Sequence, residues 1–175
     1  AILPIHGPLT QRRTLWGDLF GLASYEAIGA LLEEAVADPG VGGILLDIDS
    51  PGGDAAGMLD LADRIVALRD KKPIWALAAD SAFSAAYALA SAAERMLVTR
   101  TGGVGSIGVI AAHIDQSGFD AQAGIRVTTI SAGARKNDFS PHQPLSGEAA
   151  GVLQTEVDRL YGLFTATVAR NRGLP

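Results

Sequence analysis

The sequence predicts an α/β fold, a mostly parallel sheet flanked by helices within a single domain spanning residues 1–175. Three observations carry that expectation. Near-continuous apolar runs at 41–48 and 74–78 are each followed by a segment of helical periodicity, the β-loop-α repeat from which parallel sheets are built. Turn residues sit at the junctions, as in Pro39-Gly40 and Asp70-Lys71-Lys72-Pro73. With 48% hydrophobic and only 19% charged residues in 175, the chain has the means to bury a sizeable core and lacks the composition of a disordered one.

In order, residues 1–5 form a short apolar strand running into the His6-Gly7-Pro8 turn, with His6 structural or solvent-facing. Residues 10–23 show no clear period and read as a loop, whose Trp16 and Phe20 either anchor it in the core or meet a partner surface. Over 24–38 the residues Ile28, Leu31, Leu32, Ala35 and Val36 recur at helical spacing, Glu33 and Glu34 face away, and Ser24 caps the start. The strand over 41–48 is apolar enough to be covered on both faces. It ends in Asp49-Ser50-Pro51-Gly52-Gly53, which is either a plain turn or a backbone cradle: Pro51 fixes one φ, and two glycines bring bare N–H groups to the carboxyl end of a strand, where ligands bind in open α/β sheets.

A helix over 55–69 buries Leu59, Ala62, Ile65, Val66 and Leu68. The strand 74–78 then leads into a small, apolar stretch ending near Ala93 that holds Ser81, Ser84 and Ser91. Ser81 or Ser84 serves as a helix cap or, exposed at a strand–helix turn with backbone N–H groups nearby, as a nucleophile. Further strands are expected over 95–99, 107–112 and 126–131, with a short helix over 115–124 and His113 at a strand edge. The glycine-rich 101–109 has neither GxxxxGK[ST] nor GxGxxG, which speaks against nucleotide binding. Residues 132–138 form a polar loop containing Lys136. The last helix starts at Ser146 or Gly147 and runs to about Arg172, with Leu153, Val157, Leu160, Phe164 and Val168 as its apolar stripe, buried against the sheet or another subunit.

The formal net charge of −5 offers no general attraction for nucleic acid or anionic membrane, and no apolar run reaches 18 residues. The absence of cysteine removes disulfides, thiol nucleophiles and thiolate metal sites. HExxH and the GxSxG elbow are missing, so His6, His113 and His142 leave a Ser-His-Asp arrangement only formally open. Asp47 and Asp49 share a strand face, a weak basis for a glycosidase or metal site. No metal and no cofactor is expected. The residues that remain are Ser84 as nucleophile, Lys136 as a base whose amine is kept neutral by burial, and N–H groups near Gly52, Gly53 and Ala85 as an anion cradle.

Four ordered motifs, Asp49-Ser50-Pro51-Gly52-Gly53, Ser84-Ala85-Ala86-Tyr87, Gly105-Ser106-Ile107-Gly108-Val109 and Ala132-Gly133-Ala134-Arg135-Lys136-Asn137-Asp138, resemble the signal peptide peptidase A (protease IV) family of serine peptidases, and within it the phage capsid-processing branch. The resemblance covers nearly the whole chain. It implies a Clp/crotonase-like fold of repeated β-β-α units and a Ser-Lys dyad of Ser84 and Lys136. It also implies oxyanion donors at Gly53 and Ala85, with Gly52 beside them, and a Ser106 that positions the lysine. Ala85-Ala86 stands where relatives carry a glycine pair, and the added methyls are expected to narrow the cleft. The resemblance further implies rings or domes of identical subunits, with the lysine supplied in some relatives by the neighbouring protomer. An extended peptide or protein is the expected substrate, with small or aliphatic side chains in the pockets, and the bacterial host cytoplasm or the procapsid is the expected location. The alternatives are a membrane-associated peptidase, trimmed of its anchor, that degrades cleaved signal peptides; an inactive homologue acting as an assembly module; and a crotonase-like acyl-CoA enzyme, for which no acidic catalytic residue or basic patch is evident.

Overall fold

A computed structural model describes residues 1–175, apart from the side chains of Trp16 and Asp18. The elements in chain order are β1 (Ile2–His6), β2 (Leu9–Thr10), α1 (Leu15–Leu19), β3 (Ala23–Ser24), α2 (Tyr25–Ala37), β4 (Ile44–Ser50), α3 (Met58–Arg69), β5 (Ile74–Phe83), α4 (Ala85–Ala92), β6 (Arg95–Val98), β7 (Gly103–Gly105), α5 (Ser117–Gln122) and α6 (Gly147–Arg172). The chain divides into two compact units, Ala1–Gly108 with Tyr161–Pro175, and Val109–Leu160.

The first unit is α/β, as expected. Its sheet runs β1-β4-β5-β6 with every pair parallel, and β7 pairs in parallel with β5 beyond the stretch that β6 covers. Strand side chains alternate between faces. Leu3 and Ile5 of β1, Leu46 and Ile48 of β4, and Ile74, Ala76 and Ala78 of β5 enter one core with Ile28 and Leu32 of α2, Leu61 and Ile65 of α3 and the alanines of α4. Ser24 Oγ accepts from the Ala27 N–H, so the cap read from the sequence starts α2 where expected.

The opposite face of the sheet carries Ile2, Trp75 and Leu97, all exposed. The expectation that β4 is covered on both faces is therefore corrected: the residues of β4 alternate in burial, because the crossover helices cover only one side. The Arg95 guanidinium lies 5.1 Å from the centre of the Trp75 ring and shields part of the open side.

Four other expectations change. The segment 10–23 holds α1 and is flanked by the two short strands β2 and β3, which pair with each other; two-residue strands are too short to show a period. Of the two roles open for Phe20, its exposure excludes the core anchor, and Trp16 lies outside the described side chains. β5 continues past Ala78 to Phe83, because a register shift against β4 between Ile48 and Ser50 lets the polar Asp80 and Ser81 stay within a strand. Residues 107–112 and 126–131 are not strands: among the described residues none pairs with them, and Ile110 and Ile130 stand 94% and 96% exposed. Strand-forming composition without a neighbouring ladder leaves backbone groups to solvent.

Only part of the α6 stripe enters the first unit's core, at Phe164 and Val168, while Leu153, Val157 and Leu160 are half-buried. Polar contacts hold this end of α6: Arg170 pairs with Asp63, Asn171 Nδ2 donates to Ser91 Oγ at 3.2 Å, and Arg172 reaches the Ala93 carbonyl. Phe164 is 1% exposed. Phe164→Ala should cost about 3–5 kcal/mol through lost burial and the cavity left behind, measured as a shift in denaturant midpoint.

Candidate active site

Ser84 occupies the junction between β5 and α4 with φ 50° and ψ −122°. Its N–H donates to the Gly105 carbonyl at 2.8 Å, which ties the turn to the end of β7. Among the described residues, Ser84 and Ser106 (φ 53°) are the two that hold positive φ without being glycine. Such backbone costs about 1–3 kcal/mol and persists only where surrounding contacts impose it. That both strained residues are serines singled out in the sequence is the main structural observation about this region.

The competing role as a cap is not the one Ser84 fills. It stands at the N-cap position of α4, but its side chain makes no capping hydrogen bond. Ser81 Oγ donates to Asp49 Oδ1 at 2.9 Å, so it is not a cap either. Ser84 Oγ is left half-buried at a sharp strand–helix turn, the placement that presents a nucleophile at the top of an α/β sheet.

The glycine cradle lies against this turn. Gly52 has φ 101°, and a Cβ built on it would fall 2.7 Å from Ser84 Cβ, 2.9 Å from the Phe83 carbonyl oxygen and 3.1 Å from the Ala85 nitrogen. Only glycine allows both the dihedral and the approach. A side chain on Gly53 would collide with the Leu9 backbone.

The loop is braced from β1 and β2. The Gly7 N–H donates to the Asp49 carbonyl, the Leu9 N–H to the Gly52 carbonyl and the Asp54 N–H to the Leu9 carbonyl, each at 2.9 Å. The buried Ser50 hydroxyl donates to the Gly7 carbonyl at 2.7 Å and accepts from the Gly52 N–H at 3.2 Å. None of the hydrogen bonds among the described residues uses the Gly53 N–H. The Ala85 N–H, first in α4, has no acceptor within its helix by position. Both N–H groups are thus free of partners among these hydrogen bonds.

Ser106 is exposed and follows directly on Gly105, whose carbonyl holds Ser84. The methyls of Ala85 and Ala86 are buried in the core, so they do not narrow a cleft as the sequence led us to expect; α4 turns them toward the sheet. Lys136 belongs to the second unit, where its N–H donates to the Gly133 carbonyl at 3.2 Å; its side chain is exposed, so the burial expected to keep its amine neutral is not found within this chain, because the loop 132–138 lies at the surface with no element packed over it.

Each histidine has a polar partner. His6 Nε2 lies 3.3 Å from Asp47 Oδ2, His113 Nε2 lies 2.9 Å from the Ser140 carbonyl oxygen, and His142 Nδ1 lies 2.7 Å from Asp120 Oδ2. Among the described residues no group of three or more His, Asp or Glu side chains is placed to hold a metal ion.

Sequence reasoning missed Ser50, Tyr25 and the Gly7–Leu9 brace, because their partners lie far along the chain and leave no periodic signal. The Tyr25 hydroxyl donates to the Asp54 carbonyl at 2.6 Å, closing the far side of the glycine loop. Burial, and then the neighbouring Asp54 carboxylate, push its phenol well above the usual value.

The first unit is thus a parallel α/β sheet carrying a strained serine at a strand–helix turn, with a glycine loop folded against it. Comparison with known proteins gives its class. A family model described as "Peptidase family S49" matches residues 66–175. The "Head-tail preconnector protein GP5" of Enterobacteria phage P21 is 45% identical over 174 residues, covering 99% of this chain and 35% of its own. The "Capsid assembly protease C" of Escherichia phage lambda is 42% identical over 174 residues, covering 99% and 40%. A solved ClpP1 mutant from Listeria monocytogenes aligns with 99% of this chain and 73% of its own, at TM-score 0.49 and 15% identity. The chain belongs to peptidase family S49 and spans 35–40% of the length of the two phage relatives.

Gly52→Ala should destabilise the protein by at least about 1–3 kcal/mol, read from denaturant unfolding. Stability should also fall as pH rises above roughly 10: the folded state keeps the Tyr25 proton to higher pH than the unfolded chain does, so deprotonation favours unfolding. Chemical denaturation at about pH 9 and about pH 11 should show this loss in the wild type and a flatter response in Tyr25→Phe.

Proposed function

We propose that the chain is the catalytic part of a serine endopeptidase that uses a Ser84–Lys136 dyad. The observation that carries the reading is the backbone at Ser84, held in a region costly for any residue with a side chain, with no capping bond on its hydroxyl and with Gly52 packed against it. Membership in peptidase family S49 supports the same chemistry.

In the proposed reaction, the lone pair of the Lys136 amine, from the same chain or a neighbouring copy, takes the Ser84 proton as Oγ attacks the peptide carbonyl. The Gly53 and Ala85 N–H groups receive the oxyanion. The C–N bond then breaks as the lysine returns the proton to the leaving amine, and the acyl-enzyme is hydrolysed by water that the same amine deprotonates. Ser106, strained and next to Gly105, hydrogen-bonds and orients the lysine in this reading.

The substrate is an extended polypeptide that pairs by its backbone near Gly52 or Gly103. β7 pairs with β5 on one edge, and among the described residues no strand pairs with its other edge. Small or aliphatic side chains fit such a site. The names of the two phage relatives, a capsid assembly protease and a head-tail preconnector protein, support scaffold or capsid precursor as the target and host cytoplasm or procapsid as the location. No helix among the described residues is long and apolar enough to cross a membrane. A ring or dome of copies fits a sheet face that leaves Ile2, Trp75 and Leu97 open.

Ser84→Ala and Lys136→Ala should each lower cleavage of a co-expressed capsid or scaffold precursor by at least about 10³-fold, with folding and assembly retained. Processing at the wild-type rate in Ser84→Ala would sink the peptidase reading and leave the assembly module in its place.

A further inference from the structure

In the second unit, a cluster that the dyad does not use holds the loop carrying Lys136. Asp120 of α5 is 10% exposed at its side chain, and its Oδ2 lies 2.7 Å from His142 Nδ1. The side-chain amide nitrogen of Gln116 lies 3.0 Å from the same ring nitrogen. Two more bonds fasten the segment: the Gln116 N–H donates to the Pro141 carbonyl at 2.7 Å, and His113 Nε2 lies 2.9 Å from the Ser140 carbonyl oxygen.

From this anchor the contacts lead to the residue after the lysine. Gln143, next to His142, accepts from Asn137 Nδ2 at 3.3 Å and donates its own Nε2 to the Asn137 carbonyl at 3.1 Å. Asn137 is the residue after Lys136, and its carbonyl also accepts from the Ser140 N–H at 3.1 Å. Lys136 itself has no secondary-structure ladder to hold it, since 132–146 contains only turns and irregular backbone. We infer that Asp120 and His142 are positioning residues for Lys136, acting through the Gln143–Asn137 pair to fix the loop from which the lysine projects.

This inference rests on the proposed dyad. A general base must be held close to the proton it takes, and displacement by about 1 Å can cost on the order of 10²-fold in rate. Removing the His142 ring leaves the buried Asp120 side chain without its 2.7 Å hydrogen-bond partner, and the loop is released to relieve that penalty. His142→Asn keeps a hydrogen-bonding amide near the place of Nδ1.

The test measures kcat and KM on a peptide substrate for wild type, His142→Ala, His142→Asn, Gln143→Ala and Lys136→Ala, with hydrogen exchange of the amides over 133–143. His142→Ala should speed exchange in that loop while amides of the first unit's core keep their protection, which shows that the protein is folded. It should lower kcat about 10- to 100-fold at unchanged KM. Gln143→Ala should lower kcat in the same sense, and His142→Asn should recover most of it. Unchanged kcat in His142→Ala with a released loop overturns the positioning role, as does a change confined to KM. Wild-type activity in Lys136→Ala overturns the dyad and, with it, any catalytic purpose for the cluster, whereas the exchange data still report separately whether the cluster holds the loop.

Discussion

Everything near the candidate site depends on a backbone conformation that serine does not adopt willingly. At φ 50° and ψ −122°, Ser84 sits where a Cβ meets its own chain, and three features hold it there. The Gly105 carbonyl takes its N–H, Gly52 yields the space a side chain would fill, and α4 begins at the next residue, locking the direction of the chain. The strain of about 1–3 kcal/mol is offset by the packing behind it. Five of the eight residues of α4 are alanines buried in the core, so the helix approaches the sheet closely and the turn between them has little room to relax.

The glycine loop shows the same logic from the other side. Ser50, buried beneath it, satisfies a carbonyl of the β1–β2 connection and an amide of the loop with one hydroxyl. Tyr25 closes the opposite end from α2. Neither residue faces substrate in the proposed reaction, yet between them they set where the Gly53 N–H lies. Preorganised donors of this kind stabilise a transition state because they need no rearrangement as charge develops.

Much of this was legible before the fold was known. The apolar runs of β4 and β5 and the periodicity of α2, α3 and α6 report burial directly, and Pro51-Gly52-Gly53 marks a loop that only glycine can make. The failures share a cause. β5 was read as ending at Ala78 because Asp80 and Ser81 are polar, and the register shift that accommodates them depends on a neighbouring strand. Residues 107–112 and 126–131 have strand composition but no ladder in this chain, so propensity alone misjudged them. The cover on both faces of the sheet was inferred from apolar content, whereas the crossover helices occupy one side. Around Ser84, Gly52 packs against the serine and the Gly105 carbonyl takes its N–H, while the braces at Ser50, Tyr25 and Leu9 depend on pairings between distant positions that a single sequence does not display.

β5 serves two partners in succession, β6 along its first half and the three-residue β7 along its second. The amide of Ser84 is therefore shielded from solvent by the shortest strand of the sheet rather than by its core. Local opening is easiest at short edges, so the nucleophile candidate's backbone responds first to whatever docks on or peels away β7. A segment bound there would act as a splint, stiffening the turn that presents the hydroxyl at the moment the hydroxyl is needed.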